Sequence, residues 1–188
     1  MVKVRRLGLF GGTFDPPHFG HVAALEAAAR CGRFERLLVT VAGDPYLKKT
    51  DVRPAALRLA MAHAAFDDLA LVDVSDLEIR RAGPSYTIDT VRELLEDVDT
   101  VDLIVGADLA TQLNGWHEAQ ALRELVAVGI VPRPGSASAA PENWRSYEIP
   151  MEPVDLSSTY IRELFSDYAN LGDFLPAGVI PLFEGARG

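Results

Sequence analysis

Cysteine and long apolar runs are almost missing from this sequence. Its 188 residues include one cysteine, Cys31, so no internal disulfide can form, and the apolar, helix-like surroundings of Cys31 are typical of a small core residue. No run of about 18 apolar residues occurs, and the basic start at residues 1–6 lacks the apolar stretch of a signal peptide. We therefore expect neither membrane insertion nor export, and the sequence predicts a cytoplasmic protein.

Basic residues are also fewer than acidic residues in this sequence. Lys and Arg number 18 against 27 Asp and Glu, which gives a formal net charge of −9. This balance argues against nucleic acid or an anionic membrane surface as a partner. An anionic substrate must therefore bind in a local basic pocket. Nothing in the composition fixes the oligomeric state, and a homo-oligomer stays open.

Short apolar runs alternate with helical patterns along the chain. Strands are predicted at Val4–Phe10, Arg36–Ala42, Ala70–Val74, Val101–Val105 and Val126–Val131. Helices are predicted at His21–Arg30, Arg53–Ala65, Ile88–Glu96, Ala107–Leu113, His117–Leu125 and Thr159–Ser166. This alternation predicts an α/β fold, a single-domain, Rossmann-like, doubly wound parallel sheet over residues 1–188. Residues 134–143 are predicted to form an exposed loop, and a short helical C-terminal part is expected from about residue 157.

Turn-forming segments follow four of the predicted strands. They are the glycine pair Gly11-Gly12, Gly43–Lys49, Gly106–Asp108 and Pro132–Gly135. In a doubly wound sheet the carboxyl ends of the parallel strands meet at one edge, and ligands bind there. We therefore expect these four loops to converge on one cleft.

The segment at residues 11–21, GGTFDPPHFGH, carries the strongest signal. Its glycine pair lets backbone N–H groups approach an anion closely. His18 and His21 stand where the next predicted helix begins, so both can lie on one face of it, and the positive end of that helix points to the same place. A plain strand-to-helix turn explains the glycines and prolines but not the two histidines. The pattern therefore predicts a polyphosphate site.

This segment resembles the GxFxPxHxGH signature of the nucleotidylyltransferase superfamily, whose six positions are filled here by Gly12, Phe14, Pro16, His18, Gly20 and His21. It fits neither the Walker phosphate loop nor the dinucleotide-binding fingerprint. The resemblance implies the nucleotidylyltransferase fold and a catalytic role for His18 and His21, which would donate hydrogen bonds to phosphate oxygens, at least one of them as imidazolium. It also implies contacts to ATP from Gly11, Gly12, Thr13 and Phe14.

A second signal lies at residues 156–162, LSSTYIR. Taken alone, it is typical of a Ser/Thr-capped helix with Arg162 on the solvent face. It also resembles the ISSTxIR motif that closes the nucleotide site in the same superfamily, with Leu156 in place of isoleucine. That resemblance implies that Arg162, whose guanidinium is a bidentate fork, binds the β- and γ-phosphates of ATP as a catalytic residue. It assigns the start of the helix to ATP as well, through Ser157, Ser158 and Thr159.

Four weaker segments are similar to bacterial nicotinate-nucleotide adenylyltransferases, and the likeness runs in register over most of the chain. They are residues 84–90 (PSYTIDT), residues 105–108 (VGAD), Trp116 and residues 132–135 (PRPG). Each has a simpler explanation alone, as a helix cap or a packing residue, and His117 receives no role. The similarity implies that Gly106 and Asp108 contact ATP, the carboxylate at a ribose hydroxyl pair. It also implies that the acceptor substrate meets Ser85, Tyr86, Thr87, Trp116 and Arg133.

The loop after the second predicted strand departs from the family pattern. Family members often carry Pro-His-Lys there, whereas this chain reads DPYLKK at residues 44–49. We assign Lys48 to the phosphate of the acceptor substrate, with Lys49 as the alternative.

Together these resemblances imply an enzyme of NAD biosynthesis that transfers the adenylyl group of ATP to nicotinate mononucleotide, giving deamido-NAD and pyrophosphate. Mg²⁺ would arrive with ATP, since no dedicated carboxylate cluster is apparent and no residue is assigned to a metal. The alternatives are a nicotinamide-nucleotide or pantetheine-phosphate adenylyltransferase, a cytidylyltransferase, or a silent nucleotide-binding module. Trp116 and the PSYT segment disfavour the pantetheine and cytidylyl enzymes, and the intact histidine pair with Arg162 disfavours the silent module.

Overall fold

A six-stranded parallel sheet forms the centre of the chain, in a computed structural model that describes residues 4–45, 52–81, 83–135, 139–164 and 170–185. Its strands are β1 (Arg6–Gly12), β2 (Arg36–Val41), β3 (Val72–Ser75), β4 (Thr100–Gly106), β5 (Ala127–Val131) and β6 (Ser146–Glu148). The α-helices are α1 (Phe19–Arg30), α2 (Ala55–Phe66), α3 (Leu77–Arg80), α4 (Thr87–Leu94), α5 (Ala107–Ala110), α6 (Ala119–Leu125), α7 (Ser158–Leu164) and α8 (Ile180–Gly185). Single 3₁₀ turns lie at Leu113–Gly115 and Leu171–Asp173.

The order of the strands creates a place for a ligand. They lie in the order β3-β2-β1-β4-β5-β6, and every neighbouring pair is parallel. The chain therefore starts in the middle, runs outward to β3 and returns through β4 on the other side of β1. In open α/β sheets ligands bind at the carboxyl ends of the strands, where the order reverses. The predicted doubly wound parallel sheet is confirmed.

Two apolar layers cover the two faces of the sheet, because the side chains of each strand alternate between them. On β1, Leu9 packs in one layer with residues of α4, α5 and α6, whereas Phe10 packs in the other layer against α1 and α2. A third apolar cluster, which includes Met61, Ile161 and Phe183, joins the C-terminal helices to α2. The sheet edge that carries the loops is thus flanked by helices on both sides.

The glycine pair lies in β1 rather than after it. Gly11 pairs with Thr40 and Gly12 with Val41 of β2, so the strand continues two residues beyond its predicted end. Pairing with β2 outweighs the low strand propensity of these two glycines. The turn that leads to α1 begins at Thr13.

Other elements differ from their predicted extent. The predicted helix Ala107–Leu113 ends at Ala110, and the predicted helix His117–Leu125 begins at Ala119, because Glu118 takes a left-handed conformation with φ of +48°. The third strand begins at Val72 rather than Ala70. Three short elements, α3, β6 and α8, were not predicted.

Cys31 packs beside the core, as its apolar sequence surroundings predict. Cys31 is half-buried beside the apolar layer of α1, and its thiol donates to the Ala28 carbonyl at 3.0 Å. Within the part of the chain that the structure describes, the helices are too short or too polar to cross a membrane.

Candidate active site

A cavity of about 430 Å³ opens at the carboxyl ends of β1, β2 and β4. Small-molecule sites in proteins have volumes of about 300–1,000 Å³. All four loops that were expected to meet at this edge contribute to its walls, through Gly12, Thr13, Pro45, Asp108 and Arg133 among others. The predicted convergence of the loops is confirmed. The far wall is formed by Ser85, Thr87 and Trp116.

His18 and His21 cap the helix that follows them, each through its Nδ1 atom. His18 is the N-cap of α1, and its Nδ1 accepts from the Gly20 N–H at 3.1 Å. His21 Nδ1 accepts from the His18 N–H, also at 3.1 Å, so the two residues form a reciprocal capping box. A ring nitrogen that accepts a hydrogen bond carries no proton, so each imidazole is neutral and holds its proton on Nε2. The sequence motif therefore fixes the tautomer of both rings.

In the protein without substrate, the capping box favours neutral rings over an imidazolium. Protonating either ring at Nδ1 would replace an acceptor by a donor and break one cap. The two rings also lie 3.8 Å apart between centroids, a spacing at which like charges repel. In this arrangement both histidines are neutral hydrogen-bond donors.

The two histidines are not equivalent. His21 lines the cavity, whereas the His18 residue is 1% exposed and lies behind it. Phe14 packs edge-on against the His21 ring, with centroids 5.1 Å apart, and takes a left-handed backbone conformation with φ of +51°. A Cβ atom on Gly12 would come within 2.7 Å of the Phe14 ring, so this position has room for glycine only. Gly12 and Phe14 thus hold His21 in place.

The second motif packs directly on the first, although some 140 residues separate them in the sequence. The Arg162 guanidinium donates to the Asp15 carbonyl at 2.6 Å, and Ser158 donates to the Pro16 carbonyl at 2.9 Å. Arg162 also donates to Thr159 Oγ1 at 3.2 Å. The interpretation of Arg162 as a residue on the solvent face is therefore wrong. Ser158 lines the cavity.

Ser157 has a local structural role. Its Oγ accepts from the Tyr160 N–H at 3.1 Å and so caps the first turn of α7. The predicted ATP contacts at Ser157–Thr159 thus occupy the start of a helix that is already anchored to the loop at residues 15–16.

Arg133 connects the loop after β5 to the segment that precedes α7. Its guanidinium donates to the Leu156 carbonyl at 2.5 Å and lies 4.0 Å from the Asp108 carboxylate. The Asp108 side chain is 58% exposed at the start of α5. A Cβ atom on Gly106 would lie 2.6 Å from an Asp108 oxygen, so a side chain here would make this exposed carboxylate turn away. Arg133 therefore stands beside the predicted ATP residues as well as the cavity.

The predicted acceptor residues surround the start of α4. Ser85 Oγ accepts from the Gly43 N–H at 2.9 Å and from the Asp44 N–H at 3.3 Å, so it fastens the loop after β2. The Tyr86 ring stacks on the His117 ring at 3.9 Å, which gives His117 a neighbour that the sequence did not suggest. Thr87, the first residue of α4, lines the cavity.

The main chain at Tyr86 is not arranged as expected. The sequence predicts that the acceptor substrate meets Tyr86, but the Tyr86 N–H already donates to the Pro84 carbonyl at 3.0 Å. The first residues of a helix, here Thr87 and Ile88, have N–H groups with no acceptor one turn back. An anion at this end of the cavity would therefore meet the start of α4 rather than Tyr86.

Trp116 lines the same part of the cavity, just after the 3₁₀ turn at Leu113–Gly115. Asn114 in that turn accepts from the Trp144 indole at 2.8 Å, which anchors the turn to the core. The Trp116 ring is half-buried against the apolar layer of α4–α6. Among the described residues its Nε1 has no hydrogen-bond partner although it is buried.

Arg58 is a residue of the site that sequence reasoning missed. It is 1% exposed, and it donates to the carbonyls of Arg53 at 2.8 Å, Thr13 at 2.9 Å and Gly43 at 3.3 Å. Burial lowers its pKa from the ordinary value, and the charge of Asp15 opposes that shift. Arg58 thus ties the loop after β1 to the loop after β2.

A signal for Arg58 was present in the helical pattern. Arg58 lies three, four and eight residues before Met61, Ala62 and Phe66, which form the buried face of α2. An arginine on an apolar face needs partners, because a buried charge without them is costly.

Replacing Arg58 by methionine is expected to leave three carbonyl groups without their donor. We expect a stability loss of about 1.5–3 kcal/mol and a lower kcat/KM, measured by denaturant unfolding and initial rates. Arg145→Met is the matched control, because Arg145 donates to the carbonyls of Glu124 and Val126 at the far end of the sheet. Equal losses of kcat/KM in the two variants would show that Arg58 has no special place in the site.

Asp15 is likewise buried, within the loop at residues 13–16 that follows β1. Its carboxylate forms an ion pair with Arg53 at 2.9 Å and accepts from the Arg53 N–H at 3.2 Å. Because Arg53 begins the segment that leads into α2, this pair also fixes the loop at residues 13–16.

The lysine contact and the metal are the two remaining predictions for this site. Lys48 and its alternative Lys49 lie outside the described residues. Across residues 4–45, 52–81, 83–135, 139–164 and 170–185, no group of three or more His, Cys, Asp or Glu side chains could hold a metal ion.

Comparison with known families gives one matching family model, described as cytidylyltransferase-like, over residues 9–164. Among curated proteins, one from Roseiflexus sp. (strain RS-1) is 38% identical over 191 residues, which cover 95% of this chain and 94% of the relative. One from Albidiferax ferrireducens is 35% identical over 181 residues, with 92% and 91% covered. Both relatives carry the name "Probable nicotinate-nucleotide adenylyltransferase".

Solved structures show a similar fold. The Plasmodium falciparum nicotinic acid mononucleotide adenylyltransferase complexed with NaAD aligns with a TM-score of 0.80 and 18% identity, covering 97% of both chains. The same enzyme complexed with APC aligns with a TM-score of 0.77 and 17% identity, covering 97% of this chain and 96% of that one.

Proposed function

This chain belongs to the cytidylyltransferase-like family and, within it, to the nicotinate-nucleotide adenylyltransferases. We propose that the cleft at the carboxyl ends of its strands joins ATP to nicotinate mononucleotide. The reaction transfers the adenylyl group of ATP to the phosphate of the mononucleotide. Its products are deamido-NAD and pyrophosphate.

The reciprocal histidine cap carries this proposal. It places two neutral imidazoles at the positive end of α1. This end lies beside β1, where the order of the strands reverses and the large cavity opens. Neutral imidazoles with Nε2 protons are donors, and α1 adds the partial positive charge of its own N–H groups. This combination suits a polyphosphate chain and gives no group suited to acting as a nucleophile.

The chemistry needs positioning more than proton transfer. The phosphate of the mononucleotide is already ionised near neutral pH, so it attacks the α-phosphorus of ATP without a general base. The protein then has to hold the two phosphates in line and stabilise the charge that moves onto the departing pyrophosphate. In this proposal His21 donates to the reacting phosphates from the cavity wall, and His18 supports it from behind.

The nucleotide side of the cleft takes ATP. The strand end at Gly11 and Gly12, with Thr13 and Phe14, meets the phosphates and the adenosine, and the exposed carboxylate of Asp108 accepts from the ribose hydroxyls. Arg162 and the helix start at Ser157–Thr159 hold the β- and γ-phosphates. Support comes from the packing of α7 on the loop at residues 15–16, which puts Arg162 beside the phosphate loop. Gly106 leaves room for the carboxylate of Asp108.

The opposite side takes the mononucleotide. The pyridine ring stacks on Trp116, and its carboxylate meets the N–H groups at the start of α4, where Thr87 lines the cavity. Ser85 and Tyr86 shape this end, and Arg133 stands between the two halves. The sequence assigns the phosphate of the mononucleotide to Lys48. A carboxylate at a helix start is favoured over a carboxamide, because the NH₂ group of the amide would face other donors.

Mg²⁺ would bind in the cleft together with ATP. The protein groups assigned to the phosphates are N–H donors and hydroxyls, whereas Mg²⁺ takes oxygen ligands and keeps several waters. Phosphate oxygens and water would therefore hold the ion, which neutralises charge on the triphosphate. A cytoplasmic location remains a prediction of the sequence, and the oligomeric state stays open.

The proposed function is tested by pyrophosphate release with a panel of acceptors. Nicotinate mononucleotide with ATP is expected to give the highest kcat/KM, and nicotinamide mononucleotide a lower one. Phosphopantetheine as acceptor and CTP as donor test the pantetheine-phosphate adenylyltransferase and the cytidylyltransferase, and we expect neither to react. Binding of ATP without pyrophosphate release from any acceptor would instead support a silent nucleotide-binding module.

Trp116→Ala is expected to weaken the binding of nicotinate mononucleotide but not that of ATP. Stacking of two aromatic rings contributes about 0.5–1.5 kcal/mol beyond area burial, so the KM for nicotinate mononucleotide should rise about three- to tenfold. The KM for ATP should stay within about twofold of its original value, because one half of the cleft is untouched. Steady-state kinetics with each substrate varied in turn gives both constants.

Trp116→Phe serves as the control for this prediction. It keeps an aromatic ring, so it should recover most of the affinity that the alanine variant loses. A rise in the KM for ATP in Trp116→Ala would move this residue to the adenine side of the cleft.

A further inference from the structure

Thr40 carries a buried hydroxyl group for which the described residues provide no hydrogen-bond partner. It lies on β2 and is 0% exposed, and within the described residues its Oγ1 has no hydrogen-bond partner. The great majority of buried polar groups in proteins are hydrogen-bonded, and one that is not reduces stability. A valine would fill the same space without that cost. The hydroxyl therefore needs a partner that the described residues do not supply.

The surroundings of Thr40 show where such a partner would come from. Thr40 pairs with Gly11 across the β1–β2 ladder, and both residues line the large cavity. A Cβ atom on Gly11 would lie 3.4 Å from Thr40 Oγ1, so the missing side chain leaves the hydroxyl next to open space. The glycine and the threonine together form part of the floor of the cavity.

Thr40 lies on the face of the sheet that also carries Trp116. Strand alternation places Gly11 on the same face of β1 as Leu9, which packs in the layer of α4–α6. The paired Thr40 shares that face, whereas α1 with its two histidines covers the opposite face. Trp116 also belongs to the layer of α4–α6, and its Nε1 is another buried donor that lacks a partner among the described residues.

We propose that the Thr40 hydroxyl binds an oxygen atom of the acceptor mononucleotide and positions that substrate on the floor of the cavity. This inference rests on the proposed function, since it names a further residue for the acceptor half of the same site. Within the described residues the hydroxyl of Thr40 has no partner, and the bound mononucleotide would supply one. Substrate binding thus compensates a stability loss that the free chain carries.

Thr40→Val tests the proposal, because valine keeps the shape of threonine and lacks only the hydroxyl. We expect the KM for nicotinate mononucleotide to rise about three- to tenfold, the effect of losing one hydrogen bond, with the KM for ATP unchanged. Thermal unfolding without substrate should give a Tm equal to or above that of the unchanged protein. Thr40→Ser keeps the hydroxyl and should retain most of the affinity for the mononucleotide.

A strand threonine outside the site provides the control. Thr100 lies at the start of β4 and donates to the Arg5 carbonyl at 2.9 Å, so Thr100→Val should lower the Tm and leave both KM values unchanged. Thr40→Ala is the second variant without a hydroxyl and should raise the same KM if the valine variant does not fold.

Three results would overturn the proposal. The first is an unchanged KM for nicotinate mononucleotide in Thr40→Val and Thr40→Ala, and the second is a rise in the KM for ATP instead. The third is a loss of affinity in Thr40→Ser as large as that in Thr40→Val, which would mean that the methyl group matters rather than the hydroxyl. Failure of the proposed function is a different observation, since the unchanged protein would then release no pyrophosphate with nicotinate mononucleotide.

Discussion

Replacing His21 by asparagine is expected to lower kcat by about 10²–10³, the usual effect of losing one preorganised donor to a transition-state charge. The amide oxygen of asparagine can occupy the place of Nδ1 and accept from the His18 N–H, so the helix cap is kept. Nothing replaces the Nε2 proton that His21 presents at the cavity. The Tm should therefore change little while pyrophosphate release in steady-state assays falls steeply, and the KM for ATP should change much less than kcat.

His21→Gln is the complementary variant. Its amide group reaches the place of Nε2 and can donate there, but it leaves the His18 N–H without its acceptor. We expect it to lose stability by about 1 kcal/mol, as for a lost helix cap, and to retain more activity than the asparagine variant. Equal turnover in the unchanged protein and in a folded His21→Asn variant would remove His21 from the chemistry.

Arg162→Lys is expected to lower kcat/KM for ATP at least about tenfold, because lysine keeps the charge but cannot place two donors in a fixed fork. In the structure the guanidinium already reaches two acceptors, the Asp15 carbonyl and Thr159 Oγ1. A single ammonium group cannot hold the loop and meet a phosphate from the same position. The measurement is the rate of pyrophosphate release with ATP varied at saturating mononucleotide.

Arg92→Lys gives a matched comparison for the arginine variant. Arg92 lies on the exposed side of α4, where its guanidinium pairs with Glu118 at 2.6 Å outside the cavity. That change should leave both kinetic constants as they are. If Arg162→Lys behaves like Arg92→Lys, Arg162 only fastens α7 to the phosphate loop.

The fold could be predicted from the sequence where strands are apolar and long. The five predicted strands correspond to β1–β5, because each is a run of Val, Leu and Ile between turn residues. The edge strand β6 was missed since its three residues, Ser146–Glu148, show no apolar run. The end of β1 was misplaced because the ladder to β2, and not local propensity, extends the strand through Gly12.

The candidate site could be located from its motifs but not described in its contacts. The histidine pair, the loop glycines and Trp116 were found because their spacing places them at strand ends and helix starts. The tautomer of His18 and His21 depends on two backbone hydrogen bonds, and no spacing rule gives these. The same holds for the contact between Arg162 and Asp15, which joins distant parts of the chain.

Arg58 and Thr40 show what single-sequence reasoning overlooks. Each belongs to a regular element whose other buried residues are apolar, so the apolar pattern predicts the element but not the polar residue within it. The role of Arg58 depends on three carbonyls from two loops, and that of Thr40 depends on the absence of a side chain at Gly11. Both facts appear only when the strands and loops are placed side by side.

An isotope experiment tests the central claim most directly. Nicotinate mononucleotide labelled with ¹⁸O in its phosphate is incubated with ATP and Mg²⁺, and both products are analysed by mass spectrometry. Attack of the mononucleotide phosphate on the α-phosphorus predicts one equivalent of deamido-NAD that retains all of the label, together with unlabelled pyrophosphate. Label in pyrophosphate or in inorganic phosphate, or no dinucleotide at all, would contradict the account.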